Sequence, residues 1–196
     1  MRQELITTIK QAVATTKTLI PLARLLAFIE VESGGRGFGD TGKLIIQFEA
    51  HIFSKATNIP RSKDNNWAWD ENLVDVQSKE WTAFNEAFKI NPEEAMKSTS
   101  WGLPQIMGFN HKQAGYASVG DMLDDFKRGE LQQVCALIRF IEANKKLYKA
   151  VMEGDYETVS SIYNGAYHRQ LALKNGWKPY PDKLKDAEAK YKSMKL

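Results

Sequence analysis

In Pro21-Leu22-Ala23-Arg24-Leu25-Leu26-Ala27-Phe28-Ile29-Glu30-Val31-Glu32-Ser33-Gly34-Gly35, the residues Leu22, Leu25, Leu26 and Ile29 recur at helical spacing. They mark the buried stripe of an amphipathic helix. Three positions after Ile29 the stripe reaches Glu32, so this carboxylate lies on the apolar side. The glycines that follow end the helix, and a helix C-terminus carries partial negative charge. Burial and that charge both disfavour an ionised acid. A carboxyl group kept neutral is what a general acid needs. A solvated acid at a helix end is the plainer reading of this segment alone.

Upstream, residues 3–17 read as a helix with Leu5, Ile6, Ile9 and Val13 inward. Pro21 opens the next helix at a position that proline tolerates. Downstream, Gly34, Gly35, Gly37, Gly39 and Gly42 break the pattern, and then the period changes to two over residues 43–53. Ile46, Phe48, Ala50 and Ile52 face one way; Ile45, Gln47, Glu49 and His51 face the other. This alternation predicts a strand with one core face and one polar face. Trp81 and Phe84 fall at helical spacing within residues 79–90, which assigns Trp81 to packing. Residues 130–143 are the most apolar and predict a central helix; residues 183–194 predict a charged C-terminal helix. The pattern is α+β and mainly helical, with a small sheet near residues 40–53.

At 196 residues the chain fits a single domain over 1–196. The 27 basic and 24 acidic residues leave a net charge of +3, spread without a basic run. That excludes nucleic acid as the favoured partner and suits an anionic surface such as a bacterial wall. Cys135 is the sole cysteine, so no intrachain disulfide forms, and its apolar neighbours assign it to packing. His51, His111 and His168 show no ligand spacing, and no glycine-rich phosphate loop follows a strand. No metal and no cofactor is expected. The N-terminus lacks signal-peptide architecture, and no apolar run is long enough for membrane insertion.

Three further segments carry polar chemistry: Ser98-Thr99-Ser100-Trp101-Gly102-Leu103-Pro104-Gln105-Ile106-Met107-Gly108, Tyr163-Asn164-Gly165, and Gln47-Phe48-Glu49-Ala50-His51-Ile52-Phe53. Gln105 is placed in a short helix. Glu32-Ser33-Gly34-Gly35, the stretch 100–108 and Tyr163-Asn164-Gly165 resemble, in order, the three signature blocks of goose-type lysozymes and soluble lytic transglycosylases. The 47–53 segment is similar to that of the N-acetylmuramidase family of phage endolysins. Each block alone is weak; four in order across residues 20–192 are specific. Pro104 stands where the transglycosylase relatives commonly have Met, so the likeness to that branch is looser.

The resemblance implies a lysozyme-like fold, with a helical lobe and a small β lobe around a cleft. It implies a peptidoglycan hydrolase that cleaves the β-1,4 bond between N-acetylmuramic acid and N-acetylglucosamine. Glu32 would be its general acid, following the raised-pKa glutamate of lysozymes. A hydrolase commonly adds a second carboxylate, for which Glu49 on the polar strand face is favoured over Asp40 in its glycine-rich loop. Ser33, Ser100, Gln105, Tyr163 and Asn164 match positions expected to orient the acid or line the sugar site. Trp67 and Trp69, in a polar loop, are candidate sugar contacts. A monomer without a separate wall-binding domain is expected, made in the host bacterial cytoplasm and released through a holin. The competing readings are a lytic transglycosylase, which uses Glu32 alone and leaves anhydro ends, and a non-catalytic peptidoglycan-binding module.

Overall fold

Helix α1, Gln3–Thr16, buries Leu5, Ile6, Ile9 and Ala12, and Lys17 ends it in the left-handed region at φ 55°. Pro21 precedes α2, Leu22–Ser33, in extended conformation, supplying a fixed φ at the helix entrance. Leu25, Leu26, Ala27, Phe28 and Ile29 are buried, as the helical spacing predicts, while Leu22 is half-buried. Gly34, at φ 61°, closes α2 with its N–H on the Glu30 carbonyl. A side chain would strain that conformation, which is why glycine follows the acid-bearing turn. The computed structural model describes residues 1–62, 67 and 76–194.

The chain divides into two compact units, Arg36–Gly129 and the pair of segments Met1–Gly35 and Glu130–Leu196. In the first of these, strand β1 spans Ile46–Phe48 and α3 spans Ala50–Thr57. The predicted strand therefore stops five residues early. Ala50 and Phe53 are buried three positions apart, a helical spacing that the period-two pattern had masked. The unit continues with α4 Gln77–Ile90, α5 Pro92–Lys97, β2 Thr99–Trp101, β3 Ile106–Met107 and α6 Val119–Lys127.

The sheet is antiparallel, ordered β1-β2-β3, with Gln47 opposite Ser100 and Ser100 opposite Met107. Gln105 is thus in a hairpin turn rather than a helix, at φ 49° after Gly102 at φ 65°. The turn leads to Gly108, where a Cβ would lie 2.0 Å from the Met96 carbonyl oxygen, so only glycine fits against α5. Trp67 is 2% exposed and packs edge-on against Phe53 at 5.0 Å. It is a core residue and not a surface sugar contact; Trp69 lies outside the described residues. Trp81 packs on Phe84 and Trp101, and its indole N–H donates to the Leu44 carbonyl.

The other unit adds α7 Glu130–Ala143, α8 Lys145–Glu153, α9 Tyr156–Tyr163, α10 His168–Lys174 and α11 Tyr180–Ser193 to α1 and α2. Helix α7 buries Gln133 to Ile138 with Phe140 and Ile141, and packs along α1. Cys135 is a buried free thiol there. Helix α11 packs along α2 and starts three residues earlier than its charge pattern predicts. Arg24 of α2 ties the bundle together, donating to Glu188 at 2.7 Å and to the carbonyls of Val151 and Met152. No described helix is long and apolar enough to cross a membrane.

Candidate active site

Glu32 is set in the last turn of α2, and the packing of α11 on that helix supplies its surroundings. The Tyr180 hydroxyl, at the start of α11, donates to Glu32 Oε1. Tyr163, at the end of α9, packs edge-on against Phe28 at 5.2 Å and against Phe140 at 5.5 Å. Burial raises the Glu32 pKa to about 7, with the Tyr180 hydrogen bond and the Lys183 charge working the other way. Near neutral pH the carboxyl is thus substantially protonated. Burial, with the Glu32 charge adding to it, pushes both Tyr163 and Tyr180 well above the usual tyrosine range. Tyr180 therefore remains a donor at every working pH.

Glu30, two residues earlier, shows how specific this environment is. Burial acts to raise its pKa too, but Lys190 at 2.8 Å and the Tyr191 hydroxyl outweigh it and hold the group below the usual carboxylate range. One helix thus carries a carboxyl lifted to about 7 and a fixed anion, distinguished by deeper burial at Glu32 and by the direct Lys190 contact at Glu30.

Glu49 is the residue before α3, in the other unit. Its N–H donates to the Ser98 carbonyl, and its own carbonyl accepts from Ile52 and Phe53. The side chain is thus not spent on capping. Gln47 Nε2 donates to Glu49 Oε1 at 2.9 Å, and His51 Nδ1 lies 3.3 Å from Oε2. Burial raises the Glu49 pKa, and the Gln47 hydrogen bond partly offsets it. Burial and the Arg61 charge lower that of His51, which keeps it neutral at pH 7.

Two residues the sequence reading passed over hold this strand. The free edge of β1 is covered by side chains of α4. Gln77 accepts from the Ile46 N–H and donates to the Ile46 carbonyl, each at 2.9 Å, as a neighbouring strand would. Buried Glu80 accepts from the Phe48 N–H at 2.8 Å. Burial raises the Glu80 pKa, and the charge of Glu49 raises it further against the Phe48 hydrogen bond. Glu80 shares a helix face with Phe84 and Ala87, so the stripe argument that singled out Glu32 would have found it as well. No sequence signal marked Tyr180.

The remaining candidates fall in three settings. Asn164 is exposed beside Tyr163 and close in sequence to Gly165, which sits at φ 98°. Ser33 donates to the Ile29 carbonyl and Ser100 donates to Met107 Sδ, so both hydroxyls are engaged within the fold. Gln105 donates to the Gly102 carbonyl at 2.8 Å, and its Oε1 is buried without a partner. Exposed Asp40 lines a cavity of about 560 Å³ with Lys43, Gln77 and Trp81, and Glu49 is not in that lining. No group of three His, Cys, Asp or Glu side chains that could hold a metal occurs among the described residues.

A family model described as N-acetylmuramidase matches residues 21–192. Among solved structures the chain is similar to the crystal structure of Burkholderia AP3 phage endolysin. The likeness has 28% sequence identity and a TM-score of 0.75, over 96% of this chain and 70% of that one. The mainly helical fold with its small antiparallel sheet is shared with that endolysin. No curated protein matches the chain.

Proposed function

The chain belongs to the N-acetylmuramidase family, a family of glycoside hydrolases that act on peptidoglycan, and on that premise we propose that Glu32 is the general acid and Glu49 the second carboxylate. The bond cleaved is the β-1,4 link between N-acetylmuramic acid and N-acetylglucosamine. The observation that carries this reading is the Glu32 carboxyl, hydrogen-bonded by Tyr180 and desolvated to a pKa of about 7. Such a group holds its proton near neutral pH and can deliver it to the leaving glycosidic oxygen. Glu49, whose Gln47 hydrogen bond partly offsets the upward push of burial, serves as the anion that activates water or stabilises the developing positive charge.

Tyr163 and Asn164 are the direct sugar contacts, because one adjoins the acid and the other stands exposed beside it. Ser33, Ser100 and Gln105 act mainly by shaping the turns that carry the site, since their donors are bound within the fold. Production in a host bacterium and release through a holin would match the likeness to a phage endolysin.

Mass analysis of digested sacculi tests the chemistry. Reducing muramic ends are expected. Products lighter by one water, with anhydro ends, would overturn the two-carboxylate hydrolysis in favour of attack by the substrate's own hydroxyl.

A further inference from the structure

The segment from Asn164 to Pro179 leaves the bundle at Tyr163 and returns at Tyr180, the two tyrosines whose hydroxyls feel the charge of Glu32. Among the described residues nine large apolar side chains are exposed, and four of them fall within positions 167–177. They are Tyr167 at 72%, Leu171 at 54%, Leu173 at 76% and Trp177 at 62%. Such a concentration within one short segment departs from singly scattered surface apolarity and points to an interaction.

The segment is nevertheless held in place. His168 and Ala172 are the buried residues of α10. Arg169 is gripped by Glu157 of α9 and lies 3.6 Å from Asp182 of α11. The Trp177 N–H donates to the Ala172 carbonyl at 2.8 Å. The backbone that presents the exposed side chains is thus preformed, which lowers the ordering cost of binding.

We propose that residues 164–179 form a glycan-binding arm of the active site, on which Tyr167 and Trp177 stack sugar rings of the peptidoglycan strand flanking the cleaved bond. Reach supports this. Tyr167 is four residues from Tyr163 and Trp177 three from Tyr180, so their Cα atoms lie within about 14 Å and 11 Å of those tyrosines. A few linked pyranose rings cover that distance. Flat aromatic faces with a polar edge suit sugars, and Leu171, one helical turn on from Tyr167, offers aliphatic contact for N-acetyl methyl groups.

Charge points the same way. The arm holds Arg169, Lys174 and Lys178 and no acid. Arg169 and Lys178 are compensated by Glu157 and Asp186. Lys174 has no carboxylate partner among the described residues and is available to the stem-peptide carboxylates of the wall.

The inference rests on Glu32 being the acid, so binding is measured in the Glu32→Gln background, where turnover does not interfere. Co-sedimentation with purified sacculi is expected to show Kd rising about tenfold or more on adding Tyr167→Ala and Trp177→Ala together. In the active chain the same pair should raise KM for sacculi rather than lower kcat, with the melting temperature held. Undiminished binding would overturn the arm. So would loss of pelleting with phosphatidylglycerol vesicles alone, which would make the surface a lipid contact, or a change in oligomeric state, which would make it an interface between copies. Continued cleavage by Glu32→Gln would instead overturn the assignment of the acid, whatever the arm does.

Discussion

Glu32 ends a helix and Glu49 precedes one, and both carboxyl groups are pushed upward by burial. At the end of α2 the aligned carbonyls add partial negative charge, which opposes ionisation in the same direction as desolvation. At the start of α3 the exposed N–H groups add partial positive charge, which opposes desolvation. The donors differ as well. Glu32 has a tyrosine hydroxyl; Glu49 has the Gln47 amide. Burial is deeper at Glu32 than at Glu49, and the helix ends add to that difference rather than replace it. The comparison teaches that depth of burial and the end of the helix on which an acid sits can act in one direction, separating two carboxyls in their hold on a proton.

The largest effect should come from removing the proton donor. Glu32→Gln is expected to lower kcat on sacculi by about 10³-fold, within the range for general acids. It should also stabilise the protein. The folded-state pKa of Glu32 is raised from 4.5 to about 7, so burial is tolerated below the unfolded value and penalised as pH rises through the folded one. Above pH 7 the variant should gain up to about 3 kcal/mol over the parent, and below pH 4.5 nothing. Chemical denaturation at pH 5 and pH 8 measures the difference; equal stability at both would show that Glu32 is solvated.

Glu49→Gln should cost less, about 10²-fold in kcat. Its direction of shift predicts that the acid limb of the parent's pH–rate profile lies above the usual carboxylate range. The limb should vanish in the variant while the alkaline limb near pH 7 remains. Activity close to that of the parent would remove Glu49 from catalysis and leave Glu32 acting alone.

What was legible beforehand follows from how local each cause is. The buried stripe of α2 and its end at Gly34 are written in fifteen consecutive residues, and α7 in fourteen. The 43–53 segment misled because Ile46, Phe48, Ala50 and Ile52 alternate, although Phe53 and not Ile52 is the fully buried side chain. The strands that complete the sheet are only three and two residues long, too short for any period to register. Trp67 looked wet from its polar neighbours, while its contact, Phe53, is fourteen positions away. Tyr180 lay beyond reach for the same reason at greater distance. Its bond to Glu32 spans 148 positions and depends on α11 docking on α2, which no window of sequence encodes.

That bond supplies the smallest and most discriminating test. Tyr180 lowers the Glu32 pKa by donating to the carboxylate, against a larger upward push from burial. Tyr180→Phe keeps the ring and removes only the donor, so the pKa of Glu32 should rise. The alkaline limb of the activity profile should then move to higher pH. A neutral hydrogen bond is worth about 0.5–1.5 kcal/mol, so the change at the optimum should stay within about tenfold. A larger loss with an unmoved limb would mean that the hydroxyl serves the substrate and not the acid. An upward shift with near-parental turnover would establish that Tyr180 tunes the Glu32 proton, the role that Gln47 of β1 has in the case of Glu49.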